Sequence, residues 1–363
     1  MVATMAKPPV YVISASSHAD AGRQHGVLAA QRIHQWLDTP EMKRLQAFAS
    51  VGPGKKALEA LKRDNTRFAP HLAQEVRGIA EGAKRPIDHL WVATLINELD
   101  ALMPDRADNA GHCSDVSAIS SSIGTAFGFA HGHNEDWPGP VKGLWYFLSI
   151  NSTAPGLASC TSMIYPGSMP GWASTWNSKG IFLTQNSLFP ARSRPYGLAS
   201  AFVQREAICG TSGAATSVDQ VAAALKAGGA WAQAASVNVV DLAHRRMANV
   251  ERYENRSGSF EVTRNPGGAS NYSHFNRFKS LEVQEDGHRN SSIHRQAKLD
   301  SYPAPATVDD IAERLSDTTD SEYPIFREMT LATLLLDGLS RSLRVWCCGR
   351  AATSGPPDFS WSV

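Results

Sequence analysis

The sequence predicts an α+β protein built in layers. Three observations carry that prediction. The first 110 or so residues read mainly as helix, the stretch from about Gly124 to Asn186 reads as short β-runs, and after it the two patterns alternate without βαβ regularity. The chain has 363 residues and 42% hydrophobic content, enough for a substantial core.

The helical opening begins with "SSHADAGRQHGVLAAQRIHQWL", where apolar residues recur at helical spacing behind Ser, His and Asp start signals. "LAQEVRGIAEGA" continues it, and "IDHLWVATLINELDAL" starts directly after Pro86, a favourable first position for a helix. "TAFGFAHG", "LWYFLSIN", "SCTSMIY" and "GIFLTQN" then read as strands separated by Gly, Pro, Ser and Asn clusters. A helix returns at "TSVDQVAAALKAGGA", with Ser217 and Gln220 spaced as a capping box. "ASVNVVDL", "RRMANVERYE" and "SFEVTR" read as consecutive strands. "TVDDIAERLSD" is a capped helix from Thr307, and "TLATLLLDG" with "SLRVWCCG" forms a closing pair of strands.

The charge is nearly balanced, 35 basic against 34 acidic residues, which points away from nucleic acid and from anionic membranes as partners. No apolar run approaches a bilayer span, and the opening "MVATMAKPPVYVISASS" lacks the plan of a secretory signal. Five cysteines are too few for a disulfide framework, so a reducing, cytoplasmic setting is expected. The sequons at Asn151, Asn255, Asn271 and Asn290 matter only on a secretory route. Cys347 and Cys348 would point to opposite faces of a strand, making them poor co-ligands.

The chemistry centres on "GHCSDVSAIS" and, shortly after, "GFAHGHNEDWPG". A cysteine needs a base, because the thiolate is its reactive form. "GHCSDV" lacks the Gly-Ser-Cys-Trp context of papain-like enzymes, which would work uncut and depend on a distant His. Scission between His112 and Cys113 offers another base. It frees an α-amine that titrates at about 7.7–8.0 when unperturbed and can take the thiol proton.

Here the sequence resembles the N-terminal-nucleophile hydrolases, within the acyl-coenzyme A:isopenicillin N acyltransferase family that includes β-alanyl-dopamine hydrolase. "AGRQHGVLAAQRI" and "INELDALMP" resemble its helical opening. "HCSD", "FGFAHGHNEDW", "WASTWNSKGIFLTQNSL", "GGASNYSHF" and "NSSIHRQAKL" then follow in the family's order. The resemblance implies a four-layer αββα sandwich, with Cys113 opening a strand at the site. It implies an α fragment, 1–112, and a β fragment, 113–363, that stay associated as a heterodimer forming one domain.

Residue by residue, the resemblance makes Cys113 the nucleophile and Asp136 the carboxylate beside the new amine. Asn186 and Asn271 would support the oxyanion, with Asn276 an outside candidate because the string here is "SNYSHF". Arg295 would fix the aspartate or the surroundings of the nucleophile. His133, Asn134 and Trp137 fall in the same motif as candidate substrate-binding residues. Trp145, Tyr146, Trp172 and Trp176, with Trp137, are numerous enough to line an acyl pocket. His112 stands where the family has glycine, and Asp115 is a carboxylate expected to raise the thiol pKa. His131, His133 and Asp136 lack a second cluster to complete a metal set, so no metal is expected.

The expected activity is cleavage of the amide bond of a small N-acyl or aminoacyl compound through a thioester. No cofactor is expected, and acyl-coenzyme A enters only as co-substrate if an amine rather than water resolves the thioester. The alternatives are that acyl-coenzyme A-dependent N-acyltransferase and an unprocessed, non-catalytic homologue serving as a binding module.

Overall fold

The structure is a computed structural model and describes residues 6–104, 113–119, 128–262, 270–286 and 289–363. Seven helices open the chain after a first strand, β1 (Val10–Ala15): α1 (His18–Leu28), α2 (Ala30–Leu37), α3 (Pro40–Ser50), α4 (Gly52–Phe68), α5 (Pro70–Ala83), α6 (Ile87–Thr94) and α7 (Ile96–Asp100). Sequence reading missed β1, a six-residue edge strand that pairs in parallel with residues 147–152. The expected helix over 16–37 breaks at Ala29, and the one after Pro86 breaks at Leu95. α1 and α5 pack unusually closely, because glycines line their contact. A Cβ on Gly22 would lie 2.0 Å from the Glu75 carbonyl oxygen, and one on Gly78 would lie 2.3 Å from that of Ala19.

Two sheets follow. β2 (Ser114–Ile119) and β3 (Phe129–Asp136) belong to one. β4 (Tyr146–Ser152), β5 (Cys160–Ile164), β6 (Thr175–Asn177) and β7 (Ile181–Ser187) belong to the other. After α8 (Ser200–Cys209), the two-residue β8 (Gly213–Ala214) and α9 (Val218–Lys226), the chain adds β9 (Trp231–Asp241), β10 (Arg246–Glu254) and β11 (Arg256–Val262). The first sheet then has the order β1-β4-β5-β6-β7-β9-β10-β11. β12 (Ser270–His274), α10 (Arg289–Asp300), α11 (Val308–Leu315), β13 (Thr330–Asp337), β14 (Ser342–Cys347) and β15 (Phe359–Ser362) complete the chain, and the second sheet has the order β12-β2-β3-β13-β14-β15.

The sheets face one another. Side chains of β7 hydrogen-bond to β2 across the gap, and Trp176 and Phe147 of the first sheet meet Trp361 of the second. α7, α8 and α9 pack against the first sheet, while α10 and α11 cover the second. The result is the four-layer αββα sandwich. Central strands covered on both sides should be buried on both faces. β2, β3 and β9 are buried at every residue.

Local signals act where expected. Thr307 and Asp310 form a complete capping box on α11. At α9 only half of it forms: Ser217 accepts from the Gln220 amide, but the Gln220 side chain turns to the Thr216 amide instead. The two adjacent cysteines depart from the strand expectation. β14 ends at Cys347, Cys348 takes a left-handed backbone with φ of 61°, and their sulfurs lie 3.3 Å apart. All five cysteines are free thiols. No described helix is long and apolar enough to cross a membrane.

Candidate active site

Cys113 stands at the mouth of β2, and strand alternation divides its surroundings in two. Odd-numbered residues of β2 and β3 point between the sheets; even-numbered ones point to the layer of α10 and α11. Residues 105–112, with His112 and the expected cut, lie outside the described residues.

On the outer side, Arg295 of α10 is fully buried and holds the start of β2. Its guanidinium donates to the Cys113 carbonyl oxygen at 2.8 Å, to Ser114 Oγ at 2.9 Å and to Asn276 Oδ1 at 2.9 Å. The fork geometry suits arginine and not lysine. Asp136, at the end of β3, shares this side. Thr330 donates to its Oδ1 at 2.7 Å, Arg327 Nε lies 3.7 Å from Oδ2, and Oδ2 has no hydrogen-bond partner among the described residues. Burial raises the Asp136 carboxyl to about 6, against the pull of Arg327.

On the inner side, the Cys113 thiol donates towards Glu135 Oε1 at 3.8 Å. Burial, then the Glu135 charge, pushes the thiol up to about 12. His133 bridges two carboxylates, with Nδ1 2.9 Å from Asp115 Oδ1 and Nε2 3.1 Å from Glu135 Oε2. Burial works against its charge, yet Asp115, with Cys113 and Glu135, holds His133 well above its ordinary value. Burial likewise opposes the Asp115 charge, but His133 and His131 hold that carboxyl below its ordinary range.

Asp115 is the hub of the gap. Its Oδ1 also accepts from Thr184 at 2.7 Å and lies 3.1 Å from His131 Nε2, while Oδ2 accepts from Asn186 Nδ2 at 2.6 Å. Behind them Asn238 donates to Asn186, and Asn249 donates to Asn238 and to Ser236. The register explains this ladder: β7 and β9 pair Thr184 with Asn238 and Asn186 with Ser236, and β9 and β10 pair Asn238 with Asn249. Beyond Glu135, Tyr165 donates to its Oε1 at 2.7 Å, and Trp137 and Trp172 pack against Tyr165.

The candidate residues thus part company. Cys113, Arg295 and Asp136 share one neighbourhood, and His133 and Asn186 reach it through Glu135 and Asp115. Asn271 does not belong. It pairs with Ala118, five residues along β2 from Cys113, and is exposed. Its strand sends 272 and 274 inward and 271 and 273 outward, so Asn271 lines an outer cleft of about 280 Å³ with Lys279, Gln296 and Asp300. Asn276 instead accepts from Arg295, the arginine on the Cys113 carbonyl, and donates to the Ser187 carbonyl. Asn134 is not free for substrate either, since it points outward, donates to the Leu315 and Ile325 carbonyls and accepts from Thr333.

Trp137 is buried among aromatic neighbours and donates to Glu41. Trp145, Tyr146 and Trp176 lie elsewhere, in the core of the first sheet. His131 and His133 cannot join Asp136 in one ligand set, because they face opposite sides of β3. The thiol of Cys113 with His133 and Glu135 is instead a cluster able to hold a metal ion.

Sequence reasoning passed over Asp115 and Glu135 as site residues, weighed His131 only as a metal ligand, and did not single out Tyr165. Asp115 was expected to raise the thiol, but its charge is spent on the two histidines, and Glu135 is the carboxylate beside the sulfur. The available signal was the period of two: 113, 115 and 117 against 131, 133 and 135.

Among solved structures, the chain is similar at 10% identity and a TM-score of 0.38 to a mutant conjugated bile acid hydrolase from Clostridium perfringens, over 64% of this chain and 89% of that one. It is similar at the same identity and TM-score to penicillin V acylase from Agrobacterium tumefaciens, over 65% of this chain and 83% of that one. No curated protein sequence matches. The sequence model of one family covers residues 126–348, well over half of the chain, and on that match the protein belongs to the acyl-coenzyme A:6-aminopenicillanic acid acyl-transferase family.

Proposed function

We propose that this protein is an autoprocessed cysteine amidohydrolase that cleaves the amide bond of a small N-acyl or aminoacyl compound. The observation that carries the reading is the convergence on Cys113. Its carbonyl is held by a buried arginine, and the same neighbourhood contains a buried carboxylate with one oxygen unpartnered among the described residues.

Processing begins when the Cys113 sulfur attacks the carbonyl carbon of residue 112. The peptide nitrogen leaves as the free α-amine and takes up the thiol proton. Water then hydrolyses the thioester, releasing 1–112 from 113–363. The fragments stay together because β1 pairs with β4 and the opening helices share the main core.

In turnover the α-amine is the base. Asp136 Oδ2 accepts from the ammonium, which lowers the Asp136 pKa from its raised value as a neighbouring cation does. The sulfur attacks the acyl carbon, the ammonium protonates the leaving amine, and water, deprotonated by the same amine, resolves the thioester. Arg295 fixes the main chain of Cys113, and Asn276 fixes Arg295. Asn186 acts indirectly, since its amide is engaged by Asp115. A second reading follows from the family's description as acyl-transferases: an amine resolves the thioester, with acyl-coenzyme A as the acyl donor.

Intact-mass analysis of the purified chain tests processing. Two fragments with Cys113 at the new terminus, and a Cys113→Ala chain that stays whole, are expected. The processed protein is then offered N-acyl and aminoacyl amides, with and without acyl-coenzyme A, and free amine is measured. A wild-type chain that remains whole and releases no amine overturns the proposal.

A further inference from the structure

Three ligand-type side chains from neighbouring strands meet between the sheets. Atoms of Cys113, His133 and Glu135 all lie within 4.8 Å of one another, and all three residues are buried. Sγ is 3.8 Å from Glu135 Oε1, and His133 Nε2 is 3.1 Å from Glu135 Oε2. Bonds of about 2.0–2.3 Å to a tetrahedral zinc ion place its ligand atoms roughly 3.3–3.8 Å apart, so the cluster is near the required size. Thiolate, imidazole and carboxylate are a donor set that zinc accepts.

The surrounding groups suit such an ion. Asp115 engages His133 Nδ1 at 2.9 Å, which turns Nε2 towards the other two ligands. A carboxylate behind a ligating histidine is the usual means of fixing its ring and strengthening it as a donor. Tyr165 likewise holds Glu135 at 2.7 Å. A thiolate and a carboxylate placed side by side repel; a divalent cation between them removes the repulsion.

We propose that Cys113, His133 and Glu135 form a zinc-binding site that sequesters the Cys113 sulfur. Binding exchanges two protons for the ion: the Cys113 S–H and the His133 Nε2–H bonds break, both protons leave to solvent, and Zn–S and Zn–N bonds form. Three protein ligands leave one coordination position open. The sulfur lone pair is then engaged, so zinc opposes both scission and turnover. That consequence rests on the reading of Cys113 as the nucleophile; the binding itself does not.

The test uses the full-length chain, treated with a chelator and titrated with cobalt(II). A thiolate-to-cobalt charge-transfer band is expected, saturating at one ion per chain and bleached by added zinc. Cys113→Ser should abolish it, and the near-isosteric Glu135→Gln should weaken cobalt binding at least tenfold. The double variant Cys347→Ser/Cys348→Ser should retain it, which separates the site from the paired sulfurs near the C-terminus. Absence of the band, its survival in Cys113→Ser, or its loss only in the double variant overturns the proposal. Intact mass is recorded on every sample. A chain that stays whole even when metal-free, yet shows the band once cobalt is added, keeps the zinc site and sinks the nucleophile, and a chain that cuts without the band does the reverse.

Discussion

Asp115 engages four side chains between the sheets, His131, His133, Thr184 and Asn186, and its role is electrostatic. It keeps His133 charged in a buried place and anchors Asn186 from the facing sheet. Removing one partner of a buried ion pair costs about 3–5 kcal/mol, because the other charge is left uncompensated. Asp115→Asn is therefore expected to destabilise the protein by about that much, read by urea denaturation at pH 7. The two asparagines separate more simply. Asn271→Ala should leave turnover within about twofold, since the side chain is exposed on the outer face. Asn276→Ala leaves Arg295 short of a buried acceptor and should lower kcat at least tenfold, with Asn276→Asp recovering part of it. Asp136 makes a pH prediction. Its folded pKa, about 6, lies above the ordinary 3.8, so the folded chain holds the proton more tightly than the unfolded one. The stability it contributes is complete below pH 4 and is lost as pH rises through 6, a change of about 3 kcal/mol in the uncut chain. Asp136→Asn should flatten that fall in a pH series of unfolding curves.

Strand alternation does most of the sorting at the scale of elements. β2 and β3 send one set of residues to the polar ladder of β7, β9 and β10 and the other to the arginine and the outer helices. The same rule expels Asn271 and Asn134 from the site, although both belong to strings that resemble the family's. A motif names positions, but the register of β12 against β2 assigns their faces. The helical layer has its own constraint. The Gly78 position faces the Ala19 carbonyl of α1 so closely that a methyl group has no room. Gly78→Ala should cost about 1–3 kcal/mol despite the better helix propensity of alanine, measured as a lowered thermal midpoint.

At the scale of the whole molecule, buried carboxyls set the pH range of stability. Burial raises Glu98 to about 7 and Glu41 to about 7, in the same direction as Asp136. Each contributes stability below the ordinary carboxyl range that disappears as pH rises through its folded value. Asp115 and Glu75 are shifted the other way and His25 is lowered to about 4, so their contributions are lost on the acid side. The thermal midpoint should fall between pH 6 and pH 8. Glu98→Gln, which keeps an acceptor for the Ser200 amide, should reduce that fall.

Composition and periodicity were enough for the α+β class, for most strands and for the capped helices, because those depend on neighbours within a few residues. The ordered motifs led to Cys113, Asp136 and Arg295, which lie together although 182 positions separate the first from the last. What lay beyond the linear reading was which asparagine stands at the arginine and which carboxylate stands beside the sulfur. Those are settled by strand register and by the facing of two sheets, contacts between residues far apart in the chain. A local pattern carries no record of the partner on the other side of the gap.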